Sequence, residues 1–383
     1  MQQEQDHYTR RRFILNVSGF AAGSVALQMM PVLSACNQPA SNEKREEKQA
    51  AQKEARKLGI ALAGLGNYSS GQLAPALKET AHCYLAGIVT GTPGKIKEWK
   101  AKYDIPDNNI YNYGNFDSIK DNPAIDIMYI VLPNALHAEY VIRAAAAGKH
   151  VICEKPMAVT AADCSRMIAA CKKAGVMLSI GYRLHFEPHT KELIRLANEK
   201  VFGPVKKIIA QDGMAKVEGW RLDKQLAGGG PLMDVGIYCV QAARYTSGME
   251  PIAVTAQQGP TTDPAKFKGI EESLSFQLEF PNGLVAECEC SYSKDMNLLH
   301  ADAEKGWFEL SPAYAYEGIT GKTSAGKIEF PGVTQQALQM DDFAMAIKQK
   351  RPSPVPGEMG LQDVKILEAI YKAMASGKKE NIS

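Results

Sequence analysis

The stretch Leu58-Gly59-Ile60-Ala61-Leu62-Ala63-Gly64-Leu65-Gly66-Asn67-Tyr68-Ser69 decides the fold class. An apolar strand runs directly into Gly-x-Gly-x-x-Ser, and a helical pattern follows. The glycines allow a tight turn and let a pyrophosphate approach the N-terminus of the helix. Ser69 stands where a third glycine or alanine is usual, and it is small enough to replace one. We predict that Gly64, Leu65, Gly66, Asn67 and Tyr68 form a dinucleotide-binding loop.

Strand-like and helix-like runs alternate downstream of this loop, which is typical of a parallel sheet with crossover helices. Residues 84–89 and 125–132 are almost continuously apolar, as expected of strands covered on both faces. Asn134 can cap a helix that ends at Gly148, and Thr160 can cap the next one. We therefore predict a nucleotide-binding domain with a parallel sheet over residues 58–180.

The pattern changes after Tyr182, because strand-like runs follow one another without crossover helices. The turn signal Pro281-Asn282-Gly283 between two of them indicates a hairpin. Two amphipathic helices close the chain. The predicted strands cover residues 205–210, 252–257, 273–280 and 284–291, and the predicted helices cover residues 341–348 and 361–375. We predict a second α/β domain over residues 181–383 with an antiparallel or mixed sheet.

The N-terminal segment carries the pattern of an export signal. Thr9-Arg10-Arg11-Arg12-Phe13-Ile14-Leu15 resembles a twin-arginine motif, and a moderately apolar stretch ends in Leu33-Ser34-Ala35-Cys36, which resembles a lipobox. We predict a signal over residues 1–36, a polar linker over residues 37–57, and a periplasmic, lipid-anchored protein. Contact with the membrane would occur only through the lipid on Cys36. An uncleaved anchor or an ordinary signal peptide is the alternative.

Composition excludes some classes of function. The 383 residues carry a net charge of +2, with 45% hydrophobic and 22% charged residues, which gives no reason to expect nucleic acid as a partner. Seven cysteines follow Cys36 without a framework spacing, and we interpret them as small buried apolar residues. His185-Phe186-Glu187-Pro188-His189 resembles a zinc helix, but Pro188 would disrupt the helix and the glutamate is misplaced, so we predict no metal site.

The end of the second predicted strand indicates the choice of cofactor. It reads Val89-Thr90-Gly91-Thr92-Pro93-Gly94-Lys95, without the carboxylate that NAD enzymes commonly place there. Thr90 can donate a hydrogen bond to a 2′-phosphate, and Lys95 can neutralise it. We predict NADP in preference to NAD, and a solvated loop lysine is the alternative interpretation of Lys95.

Three residues have the chemistry for the proton transfer that accompanies movement of a hydride. Lys155 follows an apolar strand, and Pro156 holds its backbone extended. Asp234 and Tyr238 are four residues apart on one face of a helix. A carboxylate and a phenol suit the orientation of a sugar and the transfer of its hydroxyl proton, and a nearby lysine favours loss of the phenol proton. The alternatives are a surface lysine and an ordinary helix surface.

From Leu58 onward the sequence resembles the Gfo/Idh/MocA oxidoreductases, and within them most closely the glucose–fructose oxidoreductases. Many members have histidine where this chain has Tyr238, and tyrosine is a trait of the glucose–fructose group. The stretches that carry the resemblance are Gly64-Leu65-Gly66, residues 130–139, Cys153-Glu154-Lys155-Pro156-Met157, Ile180-Gly181-Tyr182-Arg183, Trp220-Arg221-Leu222, residues 228–238 and Pro356-Gly357-Glu358.

The resemblance implies a Rossmann domain followed by an α/β domain with an open, mainly antiparallel sheet, which often mediates dimers or tetramers. It also implies a tightly held NADP(H), with Lys155 and Tyr238 as the catalytic pair and Asp234 orienting the sugar. Thr90 and Lys95 would hold the 2′-phosphate. The residues implied to line the cofactor are Leu132, Pro133, Asn134, His137, Glu154, Arg183, Trp220 and Arg221, with Tyr292 as a further candidate.

These observations lead to the hypothesis of an NADP(H)-dependent sugar oxidoreductase that couples aldose oxidation to ketose reduction. One alternative is a sugar or inositol dehydrogenase that exchanges free NAD(P), and another is a glycosidase that uses transient oxidation. A non-catalytic binding protein is disfavoured, because Lys155, Asp234 and Tyr238 are all present. Residues 212–219 and 314–327 depart from the family pattern, and both can border the sugar pocket.

Overall fold

The first half of the chain forms a six-stranded, all-parallel sheet from the buried strands that the sequence predicts. The computed structural model describes residues 56–382, so the predicted signal and almost all of the predicted linker lie outside the described residues. The strand order is β3-β2-β1-β4-β5-β6. The strands are β1 (Leu58–Ala63), β2 (Cys83–Val89), β3 (Ile110–Tyr111), β4 (Ile127–Ile130), β5 (His150–Cys153) and β6 (Leu178–Ile180). The order reverses between β1 and β4, which opens a crevice at the carboxyl ends of these strands.

Helices connect these strands and cover both faces of the sheet. Thr160 caps one of them as predicted, because its hydroxyl accepts a hydrogen bond from the backbone N–H of Asp163 at 3.1 Å. The prediction that Asn134 is a cap was wrong, since a 3₁₀ turn begins at Asn134 itself and its side chain makes no capping hydrogen bond; its amide donates to the carbonyl of Ala227 at 2.8 Å. These helices are α1 (Ala74–Ala76), which continues a π-helical segment at Ser69–Leu73, α2 (Pro93–Tyr103), α3 (His137–Ala146) and α4 (Ala161–Ala174).

The second half forms a nine-stranded, mainly antiparallel sheet, as predicted. Its order is β14-β13-β12-β11-β7-β10-β9-β8-β15, and β7 with β10 is its parallel pair. Antiparallel pairing of β9 with β10 confirms the hairpin. The strands are β7 (Val205–Gly213), β8 (Ala253–Gln258), β9 (Ser273–Glu279), β10 (Val285–Ser291), β11 (Met296–Ala303), β12 (Gly306–Leu310), β13 (Gly321–Thr323), β14 (Gly326–Ile328) and β15 (Glu380–Asn381).

One face of this second sheet is covered by helices. Ile208 and Ala210 of β7 are fully buried on that face, where α7 packs against β7. The opposite face is open, and Gln211 lines a groove there. The helices of this half are α5 (Pro188–Asn198), α6 (Lys224–Ala227), α7 (Ile237–Ser247), α8 (Gln335–Gln349) and α9 (Gly357–Ser376), and a π-helical turn at Leu232–Gly236 leads into α7.

Helix α8 leaves the second sheet and packs against the first. Its apolar residues Met340 and Phe343 lie in one core with Ile60 and Leu62 of β1. The carboxylate of Asp341 accepts hydrogen bonds from the backbone N–H groups of Ala81 and His82 at 2.8 and 2.7 Å. The C-terminal part of the chain therefore helps to build the surroundings of the nucleotide-binding sheet.

The described cysteines are free and buried, which confirms their interpretation as small apolar core residues. Between residues 56 and 382, no helix is long and apolar enough to span a bilayer.

Candidate active site

The loop after β1 has the geometry of a dinucleotide cradle. Gly64 has φ +99°, and a Cβ there would lie 2.3 Å from the carbonyl oxygen of Val131, so only glycine fits. Gly66 is exposed, and no atom would lie within 4 Å of a Cβ built on it. Ser69 replaces the third glycine without strain because its hydroxyl donates to the carbonyl of Gly64 at 2.6 Å. The loop is closed on the sheet side and open on the crevice side, which fits a pyrophosphate.

The residues predicted to choose between NADP and NAD lie beside this loop. Thr90 follows β2 and is buried. Lys95, in the first turn of α2, donates from Nζ to the carbonyl of Leu65 at 2.6 Å. The ammonium group therefore lies at the glycine loop, where it can meet a phosphate of the adenosine half.

Lys155, Asp234 and Tyr238 meet at the mouth of the crevice, and we call them the proton-transfer cluster. Lys155 follows β5, and its Nζ donates to the backbone carbonyl of Asp234 at 2.5 Å and lies 3.4 Å from Oδ1 of the same residue. It also lies 4.5 Å from the centroid of the Tyr238 ring. The helical turn that carries Asp234 thus delivers carboxylate and phenol to one lysine, as their four-residue spacing predicts.

Opposite charges keep the half-buried Lys155 and the buried Asp234 ionised. Burial lowers the pKa of Lys155, but Tyr238 and Asp234 outweigh it and raise the pKa above its usual range. Burial raises the pKa of Asp234, but Lys155 and Arg221 outweigh it and lower the pKa. The Arg221 guanidinium donates to Oδ2 of Asp234 at 2.6 Å. The site therefore contains a fixed ammonium and a fixed carboxylate.

Tyrosines from distant parts of the chain form one side of the crevice. We call Tyr68, Tyr314 and Tyr316, with Arg183, the aromatic wall. Tyr314 stacks on Tyr238 with ring centroids 5.8 Å apart, and Tyr316 meets Tyr68 of the glycine loop at 5.7 Å. The wall therefore connects the second sheet to the nucleotide loop across the crevice.

Arg183 holds the wall in place. Its Nη2 donates to the carbonyl of Tyr314 at 2.5 Å, and its Nη1 donates to the carbonyl of Ala315 at 3.0 Å and to the amide oxygen of Gln335. The guanidinium carbon lies 4.4 Å from the Tyr316 ring and 5.3 Å from the Tyr238 ring. Arg183 is thus a buried support of the wall, and it places a second cation beside the phenol of Tyr238.

Two residues predicted to line the cofactor lie behind the site. His137 is fully buried, and its ring nitrogens face the backbone carbonyls of Pro156 at 2.9 Å and Leu132 at 2.8 Å. Burial lowers the pKa of His137. Tyr292 is buried and donates its hydroxyl to Oδ2 of Asp234 at 3.2 Å. Both residues hold the chain segments that present the cluster.

The other predicted lining residues lie around the crevice. Asn134 ties the loop after β4 to α6 through its bond to Ala227. Glu154 accepts from the hydroxyl of Tyr129 at 2.7 Å, and burial raises its pKa. The half-buried Trp220 lies in the same short helical turn as Arg221, whose guanidinium carbon is 4.9 Å from the Trp220 ring centroid. Leu132 and Pro133 follow β4 at the point where the strand order reverses.

Sequence reasoning missed a second layer of polar residues on α8. Gln335, Gln336 and Gln339 are buried, and Gln339 donates to the hydroxyl of Tyr129 at 2.9 Å. The helix was predicted to start at residue 341, but it begins at Gln335. Three glutamines in a polar stretch indicate a solvated loop, and no local signal marks them as buried partners of Arg183 and Tyr129.

Two family profiles match this chain. Residues 58–182 match an oxidoreductase family with a NAD-binding Rossmann fold, called GFO_IDH_MocA, and residues 190–309 match the GFO/IDH/MocA C-terminal domain. Together they cover more than half of the chain and include the glycine loop and the proton-transfer cluster.

Related proteins resemble the chain over most of its length. The structure of an aldose–aldose oxidoreductase from Caulobacter crescentus, complexed with glycerol, is 43% identical with a TM-score of 0.82, and the match covers 85% of this chain and all of that one. A D-xylose 1-dehydrogenase [NADP(+)] from Haloarcula marismortui is 27% identical over 82% of this chain and 90% of its own. A levoglucosan dehydrogenase bound to NADH and levoglucosan shares the fold, with a TM-score of 0.73 at 20% identity over 85% of this chain and all of that one.

Proposed function

This chain belongs to the Gfo/Idh/MocA oxidoreductase family, and on that premise we propose that it moves hydride between two sugars through a nicotinamide cofactor that stays bound. It is an NAD(P)-dependent oxidoreductase that acts on CH–OH groups of sugars. NADP is its preferred cofactor in this proposal, because Thr90 and Lys95 follow the second strand with groups that can donate to a 2′-phosphate, and no carboxylate follows Thr90 before Lys95. One sugar is oxidised at a hydroxyl, and a second sugar is reduced at a carbonyl.

The observation that carries this proposal is the meeting of Lys155, Asp234 and Tyr238 beside the glycine loop. The bound nicotinamide supplies an acceptor for the two electrons and the hydrogen that leave the sugar carbon as hydride. Tyr238, as phenolate, takes the proton of the sugar hydroxyl, so that a carbonyl forms on the sugar. In the second half-reaction Tyr238 returns this proton to the carbonyl oxygen of the second sugar. Both half-reactions thus use one proton carrier.

Charge around Tyr238 suits this role. The ammonium of Lys155 lies 4.5 Å from the ring centroid and the guanidinium carbon of Arg183 lies 5.3 Å from it, so two cations stabilise the phenolate. Arg221 and Tyr292 hold the carboxylate of Asp234 in place. Asp234 then accepts a hydrogen bond from the sugar and keeps the reacting hydroxyl oriented toward Tyr238. The ammonium of Lys155 also polarises the carbonyl of the sugar that is reduced.

Retention of the cofactor is supported by the aromatic wall. Contact between Tyr316 and Tyr68 joins the second sheet to the glycine loop over the crevice, at ring centroids 5.7 Å apart. A dinucleotide seated on the loop would have to separate these rings in order to leave. Slow release would let one sugar reoxidise the cofactor before it escapes.

We also propose that the protein is exported and lipid-anchored through Cys36, which rests on the twin-arginine and lipobox patterns. A protein exported folded would take up its cofactor before leaving the cytoplasm, and a cofactor that never leaves would suit a compartment without a free pool. Membrane association that is lost in Cys36→Ala would support this proposal, and equal membrane fractions for both proteins would contradict it.

The test uses protein purified from Cys36 onward, without added cofactor. D-Glucose with D-fructose, and D-glucose or D-xylose alone, are incubated with it, and the lactone or aldonic acid and the sugar alcohol are quantified. Equal amounts of oxidised and reduced product over many turnovers are expected. If fructose accepts the hydride, the mixture of glucose and fructose yields sorbitol. In the incubations with one aldose alone, a second molecule of that aldose accepts the hydride.

A dehydrogenase that exchanges free NADP is the second candidate, because a 27% identical relative is an NADP-dependent D-xylose 1-dehydrogenase. It would form product only when NADP is added and in proportion to NADPH formed. Such a result, together with protein that releases no nucleotide on denaturation, would replace the two-sugar cycle by this function.

A further inference from the structure

One buried carboxyl group lacks the donors that the others have. Seven carboxylic acids are buried among residues 56–382, and six accept hydrogen bonds from side chains of other residues. The exception is Asp212: among the described residues no side chain donates to its carboxyl group, and the backbone N–H of the adjacent Gly213 is its partner. Buried polar groups in folded proteins are almost always well supplied with partners, so a carboxyl group without a side-chain donor requires an explanation. The six paired acids are Glu154, Glu187, Asp234, Glu271, Glu272 and Asp363.

Asp212 lies on the side of β7 that faces the candidate active site. Side chains alternate along a strand, and Asp212 follows Ile208 and Ala210 on the buried face, against which α7 packs. The neighbouring Gln211 points to the open face of the sheet. The side chain of Asp212 is only 6% exposed and lies at the carboxyl end of the strand. It therefore lies beneath the helix that carries Tyr238.

The charges around Asp212 are those of the active site. Burial raises the pKa of Asp212 to about 8, although Lys155 and Arg183 oppose this rise, and Asp234 adds to it. The other titratable groups that face it are the thiol of Cys239 on α7, the thiol of Cys290 on β10 and the phenol of Tyr314 in the wall. Its partner on β11 is the neutral Asn297, whose side chain accepts from the backbone of Ala313 and Tyr314.

We propose that Asp212 is a substrate-binding residue whose carboxyl group exchanges hydrogen bonds with one ring hydroxyl of the sugar. A carboxyl group that keeps its proton near neutrality can donate through O–H and accept through C=O, and a hydroxyl is the complementary partner. Desolvation without a side-chain donor is a cost that a bound polyol reduces. This inference rests on the proposed function, because it names a residue of the sugar site of that same reaction.

The test compares Asp212→Leu with the wild type, since leucine keeps the volume and removes both hydrogen-bonding functions. Asp302→Leu, at a half-exposed position on β11 of the same sheet, is the matched control. Asp212→Leu should raise KM for D-glucose at least about tenfold, retain its bound nucleotide and melt no lower than the wild type at pH 8. The control should keep its KM.

Deoxy sugars separate a direct contact from a structural effect. KM is measured for D-glucose and for its 2-, 3-, 4- and 6-deoxy analogues with both proteins. In the wild type, each missing hydroxyl that binds the protein should raise KM. For one analogue this increase in KM should disappear in Asp212→Leu, because the partner of that hydroxyl has already been removed. Independent, additive penalties for all four analogues would overturn the assignment, as would an unchanged KM for D-glucose.

Stability against pH gives a readout that does not depend on turnover. Between the ordinary range of an aspartate and pH 8 the folded protein keeps a proton on Asp212 that the unfolded chain releases, so stability falls as pH rises. Asp212→Asn cannot titrate, and the wild type should therefore lose stability relative to this variant from pH 5 to pH 8. A constant difference between the two proteins would contradict a buried, protonated Asp212.

Failure of the proposed two-sugar reaction can be distinguished from failure of the Asp212 assignment. If the wild type oxidises no aldose but releases nicotinamide nucleotide on denaturation, the two-sugar reaction is wrong. The Asp212 assignment is then decided by the rise in melting temperature that D-glucose causes. A smaller rise in Asp212→Leu than in the wild type and in Asp302→Leu supports it, and no difference between the three proteins overturns it.

Discussion

The proton-transfer cluster and the aromatic wall face the same crevice, but they are held in different ways. Lys155, Asp234 and Tyr238 hold one another by charge and by the backbone carbonyl of Asp234. The wall is held by the buried cation Arg183, which has no carboxylate partner among the described ion pairs and donates to carbonyls and to Gln335. The cluster thus consists of groups that can react, whereas the wall consists of aromatic rings that backbone contacts hold in place.

Because the two regions are held differently, proton transfer and cofactor retention can be altered separately. Removing a member of the cluster should stop proton transfer while the crevice stays closed. Opening the wall should let the cofactor leave while the cluster stays intact. We therefore expect variants of the cluster to lose activity and keep the bound nucleotide, and variants of the wall to lose the nucleotide and keep the reactive groups.

The largest effect is expected in the cluster. Tyr238→Phe removes the proton carrier and keeps the ring that stacks on Tyr314, so turnover should fall at least about a hundredfold. Lys155→Ala should fall by a similar factor, since the phenolate loses its nearest cation. Initial rates with D-glucose and D-fructose measure both. Nucleotide released on denaturation should be unchanged in Tyr238→Phe, and a near-normal rate in either variant would contradict the assignment.

An intermediate effect is expected in the wall. Tyr316→Ala removes the contact with Tyr68 and the face on which Arg183 lies, so release of the bound nucleotide should accelerate about tenfold, as loss of one aromatic contact of about 1.4 kcal/mol implies. The rate is followed by displacement with an NADP analogue. Activity should become dependent on added NADP. Unchanged release would separate the wall from cofactor retention.

The smallest effect is expected behind both regions. Gln339→Leu removes one donor from the hydroxyl of Tyr129 and should lower the free energy of unfolding by about 1 kcal/mol, with little change in turnover. Urea denaturation and initial rates measure the two quantities. A large loss of activity with unchanged stability would move Gln339 from the supporting layer into the reacting site.

Much of the fold could be predicted because its signals are local. The strand before Gly64, the hairpin at residues 281–283 and the cap at Thr160 each depend on a few adjacent residues, and the structure confirms them. The cap at Asn134 was predicted by the same reasoning and failed, because a 3₁₀ turn begins at Asn134 itself and its side chain is turned to the distant carbonyl of Ala227. A helix cap can be predicted from the sequence only where no distant residue binds the side chain of the capping residue.

The candidate site divides in the same way. Lys155, Asp234 and Tyr238 could be chosen from the sequence because ammonium, carboxylate and phenol at motif positions have few structural uses. Asp212 was included only within a segment expected to border the pocket, since no adjacent residue shows that it will be buried without a side-chain donor. Gln335 and Gln339 could not be chosen, because a glutamine in a polar run is usually solvated.

Local sequence patterns were enough to predict the parallel sheet with its glycine loop, the mainly antiparallel second sheet and the three residues of the proton-transfer cluster. Periodicity, turn chemistry and residue type carry that information over short distances along the chain. Tertiary contacts between distant residues bring α8 back to the first sheet, let Arg183 hold the wall and bury Asp212 without a side-chain donor, and no local pattern predicts them. These features depend on which distant residues are buried together, because the free-energy cost of burying a polar group depends on the hydrogen-bonding partners that it finds there.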